Sequence, residues 1–249
     1  MPSFEGEALV LSVRAHGEHG AIARFLTFEA GLKAGFVAGG RGRSKRPLLQ
    51  PGNRVSLSLR ARLAGQLPGA RLELAHSRAL LAFEPWSAAL TAWLCHLTTS
   101  ALAEDVAHPR LAAALDALLS GLDAGLGGPA MGLALARYEL LLLEELGFAL
   151  DLEACALGGP ADDLAFVSPR TGRAVSRARS AGQPWAHQLL VLPRPLLTGS
   201  AGDADETAAA LRLSAHFLRR QGLLDGSADD LRERAIRLAA TAADPREAP

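Results

Sequence analysis

Arg41, Arg43, Lys45 and Arg46 fall within six residues, in the run Gly39-Gly40-Arg41-Gly42-Arg43-Ser44-Lys45-Arg46 that ends at Pro47. Guanidinium and ammonium groups at this density attract phosphate oxygens, and interspersed glycines let backbone approach a phosphate closely. A second set follows along the chain. Val55, Leu57, Leu59, Ala61 and Leu63 alternate with Arg54, Ser56, Ser58, Arg60 and Arg62. A period of two places those arginines on the solvated face of a strand. Arg41, Arg43, Lys45, Arg46, Arg54, Arg60 and Arg62 are therefore the candidate set for a polyanion. Binding of this kind releases counterions, and about five contacts to a single strand predict a log–log salt slope near −3.5.

The charge distribution agrees with that reading. Residues 1–80 carry twelve basic and five acidic residues, a net of +7, whereas the rest of the chain carries fourteen and twenty-one, a net of −7. The overall balance of zero hides this asymmetry, which suggests that the first third meets a polyanion; two ordinary domains with different surfaces would also produce it. Aromatic residues for base stacking are few. Phe4, Phe25, Phe28 and Phe36 are the aromatics before residue 80, and Phe25 and Phe36 fall among alternating apolar positions that suit a core. Binding is thus expected to be mainly electrostatic, with weak base preference.

Catalytic signatures are missing. The glycine positions of a Walker A loop or a dinucleotide fingerprint are not met, and no Gly-x-Ser-x-Gly or His-Glu-x-x-His occurs. The expectation is a protein that is not an enzyme. His16 and His19, in a Gly-flanked turn beside Glu18, read as turn residues rather than a metal pair. Two cysteines, Cys95 and Cys155, make no disulfide framework and suit a reducing cytoplasm. Met1 to Arg14 does not read as a signal peptide, and apolar stretches are broken by charge too soon to span a bilayer.

The elements that must carry these residues change character along the chain. Glu7 to Arg14 alternates, with Leu9, Leu11 and Val13 on one side. Ala21 to Phe28, Leu32 to Val37, Arg54 to Leu63 and Arg71 to Ser77, the last with Leu72 and Leu74 inward, complete about five short strands, which suggest a small closed or nearly closed barrel. After Pro85 the pattern is helical: Trp86–Glu104, Leu111–Leu126 after His108-Pro109, Met131–Leu146 stopped by Gly147, Ala204–Arg220, and Ala228–Ala240 capped by Ser227. Residues 158–195 lack a helical period, and Leu164 to Val175 reads as a hairpin turning at Pro169 to Gly172. The fold class is α+β. The domain expectation is 1–80 for the barrel and 81–249 for the helical part, with 155–195 inserted in it.

Three stretches then bring a resemblance that covers nearly the whole chain. Glu7-Ala8-Leu9-Val10-Leu11 precedes His16-Gly17-Glu18-His19-Gly20 and Leu26-Thr27-Phe28-Glu29-Ala30-Gly31. Gly39 to Lys45 precedes Leu48-Leu49-Gln50-Pro51-Gly52. Arg137-Tyr138-Glu139-Leu140 runs to Glu145-Leu146-Gly147-Phe148 and Cys155. In order and spacing these resemble RecO, the bacterial recombination mediator family. The resemblance implies an N-terminal OB-fold barrel followed by a helical region with a small zinc-ribbon-like insert. It also implies annealing of complementary strands, cooperation with RecR, contact with the single-strand-binding protein SSB, and indirect action on RecA. The family's two Cys-x-x-Cys pairs read here as Cys155-Ala156-Leu157-Gly158 and Ser176-Arg177-Ala178-Arg179. One sulfur of four remains, so the insert is expected to lack a metal and to be held by Phe166, Val175 and Trp185.

Those implications give the expected function: a cytoplasmic, non-membrane mediator of DNA repair and homologous recombination. It binds single-stranded DNA, anneals complementary strands and helps RecR load RecA onto SSB-coated DNA, without a cofactor. Arg137, on the apolar third helix beside Leu133, Leu140 and Leu141, is a weak candidate for the cation that receives the acidic C-terminal tail of SSB; a salt bridge to Glu144 is the plainer reading. The competing functional expectation is an OB-fold adaptor for a protein or RNA, without annealing activity.

Overall fold

The computed structural model describes residues 3–61, 63 and 65–240. They divide into two units: one formed by the chain up to Gly125 together with Ser227–Ala239, the other by Leu126–Gly226.

In the first unit, β1 (Ser3–His16), β2 (Gly20–Thr27), β3 (Gly31–Val37), β4 (Arg54–Arg60) and β5 (Gly69–His76) close into a barrel in the order β1-β2-β3-β5-β4. This is the expected OB-type barrel. β1 is long enough to serve two neighbours: Ser3–Leu9 pair with β4 and Ala8–His16 with β2, with a bulge between Val10 and Ser12. A bulge bends the strand, which lets one strand turn a barrel corner. Ala8, Val10, Ala21, Ala23, Phe25, Val37, Leu49, Val55, Leu57, Leu59 and Ala70 form the core.

The alternation expected in β1 is interrupted by the bulge between Val10 and Ser12. Ala8 and Val10 face the barrel core, Leu9 and Leu11 are buried on the opposite face, and Val13 is exposed. α1 (Pro85–Ala101) packs on β1, so this strand is apolar on both faces and its period carries no sidedness. Leu63 and Leu74, expected inward, are also exposed. Both lie towards strand ends, where the barrel no longer covers them: β4 stops at Arg60, and β5 shifts register beside Arg54 and Val55.

α1 and α2 (Pro109–Asp123) belong to the barrel's unit, as does most of α7 (Gly226–Ala240). The change from strand to helix near residue 80 is therefore a change of secondary structure within one compact unit. Both α1 and α2 begin with proline, whose missing N–H is harmless at a helix start. Between them, Leu32 bridges to Glu104 and accepts a hydrogen bond from the Asp105 N–H at 3.0 Å. Gly31 (φ +72°) makes that approach possible, because a Cβ there would lie 1.8 Å from the Val106 carbonyl oxygen. Ser227 is not a cap, since α7 starts one residue before it.

The second unit is built on α3 (Gly128–Glu145) packed against the later helix α6 (Ala204–Arg220). Gly132 faces Thr207 so closely that a Cβ would lie 2.6 Å from its methyl. Glu139 is fully buried and accepts a 2.6 Å hydrogen bond from the Ser214 hydroxyl. Between the helices lie β6 (Leu164–Val167), β7 (Ala174–Ser176), the short α4 (Arg177–Ser180), β8 (Leu190–Val191) and the short α5 (Arg194–Thr198). The hairpin turns where expected, and β8 adds a third strand in the order β7-β6-β8. Ala165, Val167, Ala174, Val175 and Ser176 are buried in its strands, while Phe166 and Trp185 are half-buried.

This insert does not fit a structural zinc ion. Cys155 Sγ lies 3.5 Å from the Ser176 hydroxyl and accepts from the Ser176 N–H at 3.3 Å, so oxygen stands where a second sulfur would be needed. No three metal-donating side chains converge among the described residues. The Ser176 backbone and hydroxyl close on the single Cys155 thiol instead. Burial alone would push that thiol up, but donors from Ser176, Leu157 and Gly159 outweigh it and bring it down from 9.0 to about 7.

Candidate nucleic-acid interface

The loop between β3 and β4 is shaped by its own backbone. Gly39 takes φ +67°, and Gly40 sits where a Cβ would lie 2.8 Å from the Ala21 Cβ. Turns then follow, with Gly42 N–H donating to Gly39 O at 2.9 Å and Arg46 N–H to Gly42 O at 3.0 Å. Leu49 plugs the end of the barrel core, and the Asn53 amide donates to Pro47 O at 2.9 Å. The loop is thus anchored at both ends while Arg41, Arg43 and Arg46 stay exposed and Lys45 partly so.

Among the described residues, its cations are not consumed by carboxylates. The Arg41 guanidinium donates to the carbonyl oxygens of Glu18 at 2.9 Å and Gly17 at 3.4 Å, which ties the loop to the β1–β2 turn. Lys45 Nζ donates to Ala38 O at 2.8 Å. Carbonyl oxygens orient a cation without neutralising it. Among the described residues, Arg43 and Arg46 have no ion-pair partner.

The β4 arginines have a different fate. β4 lies between β1 and β5, so Ser56 is flanked by Glu7 and Glu73, and Ser58 by Glu5 and Arg71. Arg54 is bound by Glu7 on one side and by Asp116 Oδ2 at 3.2 Å on the other, with its guanidinium carbon 5.0 Å from the Phe28 ring centroid. The Glu7 hydrogen bond raises its pKa further, against the opposing pull of burial. Arg60 is exposed, and Arg62 lies outside the described residues. The loop cations and Arg54 are therefore not one uniform cationic face.

Part of the positive excess of the first third is also absorbed by acids that arrive later in the chain. Arg24 meets Glu104 at 3.2 Å, Lys33 meets Asp105, and Arg78 meets Asp116 at 2.7 Å. Segment charge could not reveal this, since those three acids lie between 104 and 116.

Sequence reasoning missed the outer face of β1–β3. Phe36, expected in the core beside the fully buried Phe25, points outward. The parity that buries Ala21, Ala23 and Phe25 in β2 buries Gly35 and Val37 in β3, so Phe36 must face away. Its ring covers Gly20 and meets the His16 ring at 5.9 Å, edge to face. Arg14, Ile22 and Phe36 form one row across the three strands. The register of Val37 was the available signal. His16 and His19 belong to this turn region, and His19 is exposed.

In the second unit, Arg137 donates to Pro195 O at 2.9 Å and Ser200 O at 2.7 Å. It pins the α5 segment rather than standing free on the helix surface. No helix among the described residues is long and apolar enough to cross a membrane.

Comparison with known proteins adds the last observation. The family model described as "Recombination protein O N terminal" matches residues 1–77, and "Recombination protein O C terminal" matches residues 87–224. Among relatives, the chain is similar to the DNA repair protein RecO of Phenylobacterium zucineum (strain HLK1), with 44% identity over 86% of this chain and 87% of the relative. It is 45% identical to that of Rhodospirillum centenum, over 86% of this chain and 84% of the relative. It is 44% identical to that of Paracoccus denitrificans, over 87% and 86%.

Proposed function

Since the chain belongs to the RecO family of DNA repair proteins, we propose that it binds single-stranded DNA through its barrel and anneals complementary strands without catalysing a covalent step. The observation that carries this reading is the anchored loop that presents Arg41, Arg43, Lys45 and Arg46 to solvent, with no carboxylate neutralising them among the described residues. Two phosphate backbones repel each other, and a cationic surface that screens this repulsion lowers the barrier to pairing. ATP is not needed for that. Arg60 extends the set, whereas Arg54 serves the fold first. Loading of RecA with RecR, contact with the SSB tail through the helical part, and action in the cytoplasm complete the proposal on the strength of family membership.

The test is annealing of complementary oligonucleotides coated with SSB, followed by fluorescence transfer. The full chain should accelerate duplex formation, and Arg41→Ala/Arg43→Ala/Lys45→Ala should lose most of the acceleration. Equal annealing by the triple variant removes the loop from the mechanism. Failure to bind DNA at low salt, with tight capture of an acidic peptide instead, would make this protein an adaptor.

A further inference from the structure

We propose that the second unit carries a separate binding site for the phosphate backbone of a nucleic-acid strand, formed by Arg170, Arg212, His216, Arg219 and Arg220. Arg212, His216, Arg219 and Arg220 are spaced i, i+4, i+7 and i+8 along α6, so they share one face of the helix. Arg170 comes to them from the β6–β7 turn, in an open cavity of about 870 Å³. Leu126–Gly226 holds nine arginines and lysines against eleven acids, yet four of the nine line this cavity and no acid does. Two other arginines of the unit meet acids, Arg173 with Asp151 at 3.1 Å and Arg177 with Asp163 at 3.9 Å.

The site is built rather than incidental. Arg220 donates to the carbonyls of Pro169 at 2.9 Å and Arg170 at 2.6 Å, and a ring nitrogen of His216 lies 3.1 Å from Pro169 O. These bonds lock the turn over the helix and hold Arg170 beside the α6 stripe. The helix dipole accounts for basic residues in the last turn, at Arg219 and Arg220. It does not account for Arg212 in the middle of α6 or for Arg170 outside it. Like charges gathered this way repel one another, and a bound anion relieves that cost. The only apolar lining comes from Leu190 and Pro169, too little to seat the hydrophobic end of a peptide. An open, guanidinium-lined trough instead suits successive phosphates.

Arg170 and Arg212 are exposed and their side chains have no polar partner among the described residues, so Arg170→Glu/Arg212→Glu should leave the fold intact, which circular dichroism checks. A labelled oligonucleotide of about 10 nucleotides, within the usual single-strand site size, is titrated into the full chain at low salt. The unaltered protein should bind two per chain, and Arg170→Glu/Arg212→Glu should bind one, with affinity at the lost site down roughly tenfold or more. Unchanged stoichiometry and affinity in that variant overturn the proposal, as does loss of acidic-peptide capture with oligonucleotide binding intact. Arg41→Ala/Arg43→Ala/Arg46→Ala reports on the barrel loop independently: if it still binds two, the loop reading fails and this site stands.

Discussion

Arg78 Nη2 lies 2.7 Å from Asp116 Oδ1, a cation from the end of the barrel held by a carboxylate of α2. The Arg78 side chain is 2% exposed. It also donates to Gly52 O and to the Ser120 hydroxyl, each at 2.8 Å, while its backbone N–H donates to the Asn53 side chain. Asp116 at the same time receives Arg54. One carboxylate therefore compensates two arginines. Asp116→Ala should destabilise the protein by about 3–5 kcal/mol, because it strands a buried charge. Urea denaturation measures this. A loss below about 1 kcal/mol would mean that solvent replaces the carboxylate, and the network would then not be a structural element.

Arg54 and the loop cations should separate in experiment. Arg54→Ala removes bonds to Glu7 and Asp116 and its packing over Phe28, so thermal stability should fall while the salt dependence of DNA binding stays close to that of the unaltered protein. Arg41→Ala/Arg43→Ala/Lys45→Ala should do the reverse. Stability should change little, and the log–log salt slope should flatten by about 2, three contacts at about 0.7 each. Fluorescence anisotropy across a salt series decides. A flattened slope for Arg54→Ala would place its guanidinium on the strand after all.

Much of the fold was legible because its signals are local. Prolines and the period of α1, α2 and α6 located the helices, and alternation in β4 located its buried face correctly from Val55 to Ala61. What failed depended on contacts distant in sequence. Leu9 and Leu11 are buried because α1 covers the outside of β1, which no alternation within β1 can express. Arg54 reads as surface charge in the sequence because Asp116 is far along the chain. The loop of Arg41, Arg43, Lys45 and Arg46 was readable since glycines and charges sit together in sequence. The α6 stripe is not legible in this way, because Arg170, its partner in space, precedes Arg212 by some forty residues.

Gly31 and Gly39 have nearly the same backbone, φ +72° and +67°, in different surroundings. A Cβ at 31 would lie 1.8 Å from Val106 O, whereas nothing lies within 4 Å at 39. Gly39→Ala should cost about 1–2 kcal/mol, the left-handed penalty alone. Gly31→Ala adds a backbone clash, and its loss should exceed that of Gly39→Ala by about 1–3 kcal/mol. Matched denaturation curves give the comparison. Equal losses would mean that the segment after α1 yields freely, against its hydrogen bond to Leu32.

Cys155 gives a pH dependence with a definite sign. Its thiol is held at about 7 in the folded chain, below the ordinary 9.0. A group depressed on folding favours the native state when ionised, so its contribution is fully present above the unfolded value and fades as pH falls from about 9 to about 7. Cys95 runs the other way: burial pushes it to about 12, so its contribution is present below about 9 and is lost only at higher pH. Between pH 7 and 9 the thiol-linked slope should therefore belong to Cys155. The unaltered protein should gain about 1–2 kcal/mol relative to Cys155→Ala on going from pH 7 to pH 9. Urea midpoints of both proteins at the two pH values measure the difference. Parallel shifts would show that the hydrogen bonds from Ser176, Leu157 and Gly159 stabilise the thiol no less than the thiolate.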